Sequence, residues 1–310
     1  MKICRFNGNR IGLVQGDDVL DVTAALDVIP AQRYPLPHYD VMIENLAKVC
    51  ARINEVKGSA ARLKLSDIKL DAPVANPNKI INAPVNYKAH ADEALTDKQL
   101  GAGAAGKQSM FIGDWGLFLK ANSSLCGFGD EVKLRCPDRR NDHEIELAVI
   151  IGKTCERATL ANAMDYVAAY SIGLDMTVRG QEDRSWRKSF NTYAVLGPWI
   201  VTKDEIPDPH NINFSIHVNG ELRQKSNTSK LVFNIPKLIE YATQCYTLYP
   251  GDIIFSGTPE GVGPVKPGDV MRVDIARLAA WDVKIARDYV RWLGIRHHET
   301  PCDCCCCDVC

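Results

Sequence analysis

The run Asp142-His-Glu-Ile-Glu-Leu-Ala-Val-Ile-Ile-Gly-Lys153 constrains this chain more than any other stretch. Leu147, Val149, Ile150 and Ile151 form a short apolar, β-branched run that stops at Gly152, the pattern of a buried strand. Strand side chains alternate faces, so Glu144 and Glu146 project together while Ile145 turns away. Two carboxylates aimed at one spot beside a core repel each other and lose solvation. A divalent cation relieves both problems, and an all-oxygen set favours Mg2+, Mn2+ or Ca2+ over zinc. Alone, the pattern also fits a strand edge with one Glu in solvent and the other paired to Arg139 or Arg140.

A third carboxylate is available downstream. Ser171-Ile-Gly-Leu-Asp-Met-Thr177 reads as a strand with Asp175 at its far end, which completes an oxygen triad with Glu144 and Glu146. Residues 158–170 carry Leu160, Met164, Val167 and Ala168 at helical spacing and are expected to form a helix before that strand.

Upstream, Asn86-Tyr-Lys-Ala-His-Ala-Asp-Glu93 suits a short helix from Tyr87. His90 and Glu93 lie three apart and share a face, where a carboxylate raises and orients an imidazole as a general base requires. A plain surface His–Glu pair has the same spacing. Residues 94–110 are small, polar and Gly-rich, a lid over substrate or an ordinary loop. Lys120, Ser123 and Ser124 add a cation and donors near a turn. After Asp175, Lys188 is placed to hold a substrate carboxylate or an enolate oxygen, whereas Arg184 and Arg187 read as solvated helix charges.

The rest organises around these stretches. Residues 1–75 read as a small N-terminal α/β domain. Strand-like pieces up to Val22 are broken at Asn7-Gly8 and Gly16-Asp-Asp18, and a helical spacing over 39–56 follows. Ala72-Pro-Val-Ala-Asn-Pro-Asn-Lys79 is a linker by composition, and a β-rich second domain occupies 76–285. Ile212–Val218 alternates into an Asn219-Gly220 turn, and 231–242 is amphipathic. The Gly-rich turn Ser256-Gly-Thr-Pro-Glu-Gly-Val-Gly263 offers backbone donors and the Thr258 hydroxyl to an anion. It lacks the Lys-Ser/Thr of a phosphate loop, which argues against nucleotide binding.

With 310 residues and a net charge of −1, nothing favours nucleic acid or an anionic membrane as partner. No apolar stretch reaches membrane-span length and the first residues do not resemble a signal peptide, so a soluble, cytoplasmic protein is expected. Cys4, Cys50, Cys126, Cys136, Cys155 and Cys245 are scattered and expected to be reduced and packed. The divergent extension 286–310 carries six more cysteines between Cys302 and Cys310, either a soft-metal or redox module or a tail without a role.

Taken in order, these pieces resemble the fumarylacetoacetate hydrolase family. The matching residues are Asn86-Tyr87 with His90 and Glu93, Lys120 with Ser123-Ser124, Glu144 to Lys153, Asp175-Met-Thr, Lys188-Ser-Phe, Pro250-Gly-Asp, and Ser256 to Gly263. Each is weak alone, but seven in order are specific, and the resemblance covers roughly residues 1–285. The chain departs from the family pattern at Asn191, where Asp is frequent, and at Val85, where a small or basic residue is common.

The resemblance implies an α+β, mostly β fold: a mixed β-roll with short helices behind the small N-terminal domain, usually a homodimer. It implies Glu144, Glu146 and Asp175 as ligands of Mg2+ or Mn2+, with Ca2+ a substitute in crystals. It implies His90 and Glu93 as the water-activating pair, Lys188 as the active-site lysine, and Lys120, Ser123, Gly257 and Thr258 as substrate contacts. The implied reaction is cleavage of a C–C bond in a 2,4-dioxo acid of the acylpyruvate or fumarylpyruvate type, as in aromatic-compound catabolism. Decarboxylation, isomerisation or hydration of a 2-oxo acid on the same metal is the alternative, and binding without turnover is a third.

Overall fold

The computed structural model describes residues 1–97, 100 and 111–288. Of the segment read as a lid, residues 98, 99 and 101–110 lie outside the described residues, as do 289–310 with the cysteine tail.

Strands dominate the described chain. The largest sheet has 12 strands. Its main path runs Arg62–Lys64, Asp18–Asp21, Arg10–Gln15, Lys2–Phe6, Ala194–Thr202, Val167–Asp175, Ile145–Ile151, Ile253–Phe255, Ile80–Asn82 and Phe118–Lys120. The turns that organise its first strands are those marked by glycine: Asn7 and Gly8 sit at φ +48° and +89°, the positive values a tight hairpin needs. A 5-stranded sheet around Asn213–Val218 and Val270–Ile275 and a 3-stranded one around Asn141–His143 complete the β structure.

The N-terminal strands join this same sheet, because Lys2–Phe6 pairs antiparallel with Ala194–Thr202. Helix Leu46–Val56 buries Leu46, Val49 and Ile53, one stripe at helical period. Asp40 Oδ1 accepts from the amides of Met42 and Ile43, both at 3.0 Å, and so caps the preceding turn. Its other oxygen accepts from Ala75 and Asn76, tying the helical segment to the linker.

Strand Ile145–Ile151 is buried along its whole length. Its odd residues Ile145, Leu147, Val149 and Ile151 join one core, and Ala148 and Ile150 join another with Leu46, Val49 and Ile53. The N-terminal helix therefore covers the even face toward Gly152. The same face carries Glu146 and Glu144 at its other end, and there the site forms.

One expected element is absent. Residues 158–170 form no α-helix: a short 3-10 turn covers Ala163–Tyr166, and Val167 already begins the strand that ends at Asp175. That strand is clamped between two long neighbours, with Ile151 opposite Val167 and Ala169 opposite Thr202. Ladder hydrogen bonds on both sides outweigh a weak helical spacing, and Leu160, expected on the apolar stripe, is 54% exposed.

Candidate active site

The antiparallel register builds the acidic cluster. Glu146 stands opposite Gly173, and the Asp175 amide donates to the Glu144 carbonyl at 2.9 Å. Glu144, Glu146 and Asp175 thus share one face of two adjacent strands, all buried, and one oxygen from each lies within 4.8 Å of the others.

Cations surround them. The Lys188 ammonium donates to Glu144 Oε2 at 2.7 Å and to Asp175 Oδ2 at 2.6 Å. Arg179 donates to Glu144 Oε1 at 2.6 Å and to Asp142 at 2.7 Å, and Arg140 donates to the other oxygen of Asp142 at 2.8 Å. Neither Arg139 nor Arg140 pairs with the two glutamates: Arg139 is bound to Glu182, and Arg140 reaches Asp142 and Asp97. Burial raises the Glu144 carboxyl, but Lys188 and Arg179 outweigh it and hold it below the usual carboxylate range. Glu146 goes the other way, pushed well up by burial and by the negative charges of Asp175 and Glu144.

His90 and Glu93 are in contact. His90 lies on helix Lys88–Thr96, with Nδ1 3.0 Å from Glu93 Oε2. The other Glu93 oxygen accepts from the Gly261 amide at 3.0 Å. Glu93 can only accept, so Nδ1 carries the proton and Nε2 the lone pair. His90, Lys188, Thr258 and the three carboxylates line one cavity of about 60 Å3, together with Arg179, Arg184 and Arg187.

Of the residues expected to contact substrate, Lys120 and Gly257 are engaged with the protein itself and Ser123 faces solvent. Lys120 is fully buried, its ammonium spent on Asp175 Oδ1 and the Tyr193 carbonyl, and it does not line the cavity. Ser123 lies in the turn Asn122–Ser124 and faces solvent, while the neighbouring Ser124 hydroxyl is closed onto the Ala121 carbonyl. The turn geometry thus removes both hydroxyls from the cavity. Gly257 donates its amide to Glu146 Oε2 at 2.6 Å. The Gly-rich turn therefore cradles the site's own carboxylates, Glu146 through Gly257 and Glu93 through Gly261. Gly257 has φ +100°, and a Cβ there would stand 2.6 Å from Asn86 Cβ. Thr258 does line the cavity, donating to the Ile145 carbonyl at 3.0 Å and accepting from Gln224 at 2.8 Å.

Arg184 and Arg187 are not solvated helix charges. Both line the cavity, and Arg187 is 7% exposed. Burial lowers both guanidinium pKa values, that of Arg184 to about 10. The sequence reading also missed Arg179 and Gln224. Arg179 had a signal: residues 175, 177 and 179 fall on one face at strand period. Gln224 had none, because it reaches the site from a different sheet.

Residues 79–286 match the family described as fumarylacetoacetate (FAA) hydrolase C-terminal. The chain belongs to this family. It is a metal-dependent hydrolase by class. It is 53% identical over 285 residues to maleylpyruvate hydrolase of Aquipseudomonas alcaligenes, covering 92% of this chain and 99% of that one. It is 34% identical over 290 residues to a mitochondrial oxaloacetate tautomerase of Bos taurus, covering 87% and 85% of the two chains. The crystal structure of maleylpyruvate hydrolase from Sphingobium sp. SYK-6 with manganese(II) and pyruvate is similar at 40% identity and TM-score 0.78, covering 93% of this chain and 99% of that one. Among the described residues, no helix is long and apolar enough to cross a membrane.

Proposed function

We propose that this protein hydrolyses a C–C bond in a 2,4-dioxo acid of the acylpyruvate type, using His90 and Glu93 to activate water. The observation that carries the reading is that the oriented imidazole and the three-carboxylate cluster line one cavity. The donor set fits Mg2+ or Mn2+: three buried carboxylates, oxygen donors only, close enough to share one ion. Glu144, Glu146 and Asp175 would hold it, and a bound ion supplies Lewis acidity toward a keto acid's oxygens.

The chain's own groups do the rest. Glu93 holds the Nδ1 proton, so His90 Nε2 takes one proton from water. The water oxygen bonds to the distal carbonyl carbon, and the bond from that carbon to the neighbouring methylene breaks. The bond electrons leave with the three-carbon 2-oxo acid half, whose methylene takes up the proton. The products are a carboxylic acid and a pyruvate-type acid, balanced by the water consumed. Lys188, lining the cavity between Glu144 and Asp175, offsets negative charge developing there. Thr258, its proton given to the Ile145 carbonyl and its oxygen held by Gln224, forms part of the cavity wall beside the bound acid.

The reading extends to a cytoplasmic homodimer. Free, buried Cys4, Cys126, Cys136 and Cys155 suit a reducing compartment, and the family resemblance supports the dimer.

The bovine tautomerase relative favours a second reading, proton transfer or decarboxylation on an oxaloacetate-like acid at the same cluster. The test is a panel of maleylpyruvate, fumarylpyruvate, acetylpyruvate and oxaloacetate with Mg2+ or Mn2+. Loss of the dioxo-acid absorbance with one equivalent of pyruvate formed supports hydrolysis. Turnover of oxaloacetate alone refutes it.

A further inference from the structure

Val85 holds a backbone conformation that its side chain disfavours. Its φ is +48°, in the left-handed region where a β-branched residue is an outlier. Asn7 and Asn219 take similar values, but each is an asparagine followed by glycine in a turn, where the conformation costs little. Val85 instead lies in the cavity wall. The chain is pinned on both sides of it, so the strain cannot relax. The Ala83 amide donates to the Phe255 carbonyl at 3.0 Å, and the Asn86 carbonyl accepts from the Val232 amide at 2.9 Å. The Asn86 side chain donates to the carbonyls of Phe233 and Ser256 and accepts from the Phe233 amide at 2.7 Å.

A glycine would take this φ without strain, so what valine adds is its side chain. Val85 packs with Ala91, Ala94, Leu100, Phe111 and Trp115 in a small apolar cluster separate from the two large cores. Ala91 and Ala94 are the apolar residues that helix Lys88–Thr96 buries, next to His90. A helix of 9 residues does not persist on its own, and two alanines give it little apolar area to hold it down. We infer that Val85 is a positioning residue: its isopropyl group closes the cluster that seats the His90 helix, and its pinned backbone keeps that group in place. The inference rests on the reading of His90 as the base for water. His90 Nε2 must stay within hydrogen-bond reach of that water, so a helix on a looser seat loses turnover more than binding.

Val85→Gly and Val85→Ala test both halves on the Mn2+-loaded full chain. Both remove the methyl groups, so their difference reports chiefly the backbone. At a left-handed position glycine should be the more stable of the two, with a Tm about 2 °C above that of Val85→Ala. In hydrogen exchange read by mass spectrometry, the amides of residues 88–96 should exchange about tenfold faster than wild type in both variants, with strand Ile145–Ile151 unchanged. On maleylpyruvate, kcat should fall about tenfold while KM changes by less than about twofold. Unchanged exchange over 88–96, a Val85→Ala at least as stable as Val85→Gly, or a raised KM at unaltered kcat overturns the inference. Faster exchange with unaltered kinetics, or with a wild type that cleaves no dioxo acid, overturns the reading of His90 instead and leaves the brace standing.

Discussion

Glu144 and Asp175 are joined twice: the Asp175 amide donates to the Glu144 carbonyl at 2.9 Å, and the Lys188 ammonium bridges their carboxylates at 2.7 and 2.6 Å. The backbone link sets the spacing of two carboxylates, and the lysine makes that spacing tolerable in a buried site.

It follows that Lys188 and a divalent ion offset the same repulsion. Lys188→Met is expected to lower the Tm of the metal-free protein, since uncompensated buried charge costs about 3–5 kcal/mol. Mn2+ should raise the Tm of the variant more than that of wild type, because its site lacks the competing cation. Turnover should still fall, because Lys188 lines the cavity. Differential scanning calorimetry with and without Mn2+ measures the difference, and an unchanged metal-free Tm would count against it.

The division of labour between base and cluster can be separated by substrate. His90→Ala should reduce dioxo-acid hydrolysis by about 100-fold or more and leave metal-dependent oxaloacetate decarboxylation near the wild-type rate. Glu144→Gln should remove both. Parallel loss of the two activities in His90→Ala would show that the imidazole serves more than water activation.

Gln224 fastens the strand of the cluster to the Gly-rich turn. Its Oε1 accepts from the Ile145 amide at 3.2 Å, and its Nε2 donates to Thr258 Oγ1 and the Pro259 carbonyl, both at 2.8 Å. Gln224→Leu strands buried partners and should cost about 1–3 kcal/mol in urea unfolding. A lower kcat/KM from displaced Thr258 should accompany it.

Gly257→Ala asks a residue with a Cβ to hold φ +100° against Asn86. Asn86 is itself clamped, donating to the carbonyls of Phe233 at 2.9 Å and Ser256 at 2.8 Å. The turn must shift, and the amide that holds Glu146 moves with it. Weaker Mn2+ binding and a Tm loss are expected together, with a destabilisation of about 2 kcal/mol or more.

What could be read from sequence was what local periodicity decides. The two-residue step of Glu144 and Glu146 places them on one face, and the three-residue step of His90 and Glu93 puts them in contact. The strand ending at Asp175 was legible too, but not its beginning at Val167, where pairing on both sides replaced an expected helix. Lys120 shows the same limit. Its type and place near the site were readable, but only the fold shows that its charge is buried against Asp175. Arg184 and Arg187 looked like helix-surface charges because a four-residue helix carries no periodic record of what packs over it.

Glu144, Glu146 and Asp175 are proposed to hold one hard divalent ion together. Mn2+ titration followed by electron paramagnetic resonance, on wild type and on Glu144→Gln, Glu146→Gln and Asp175→Asn, tests it most directly. One Mn2+ per wild-type chain, with affinity reduced about tenfold or more in every variant, is the expected result. Wild-type stoichiometry and affinity in any of the three would contradict it.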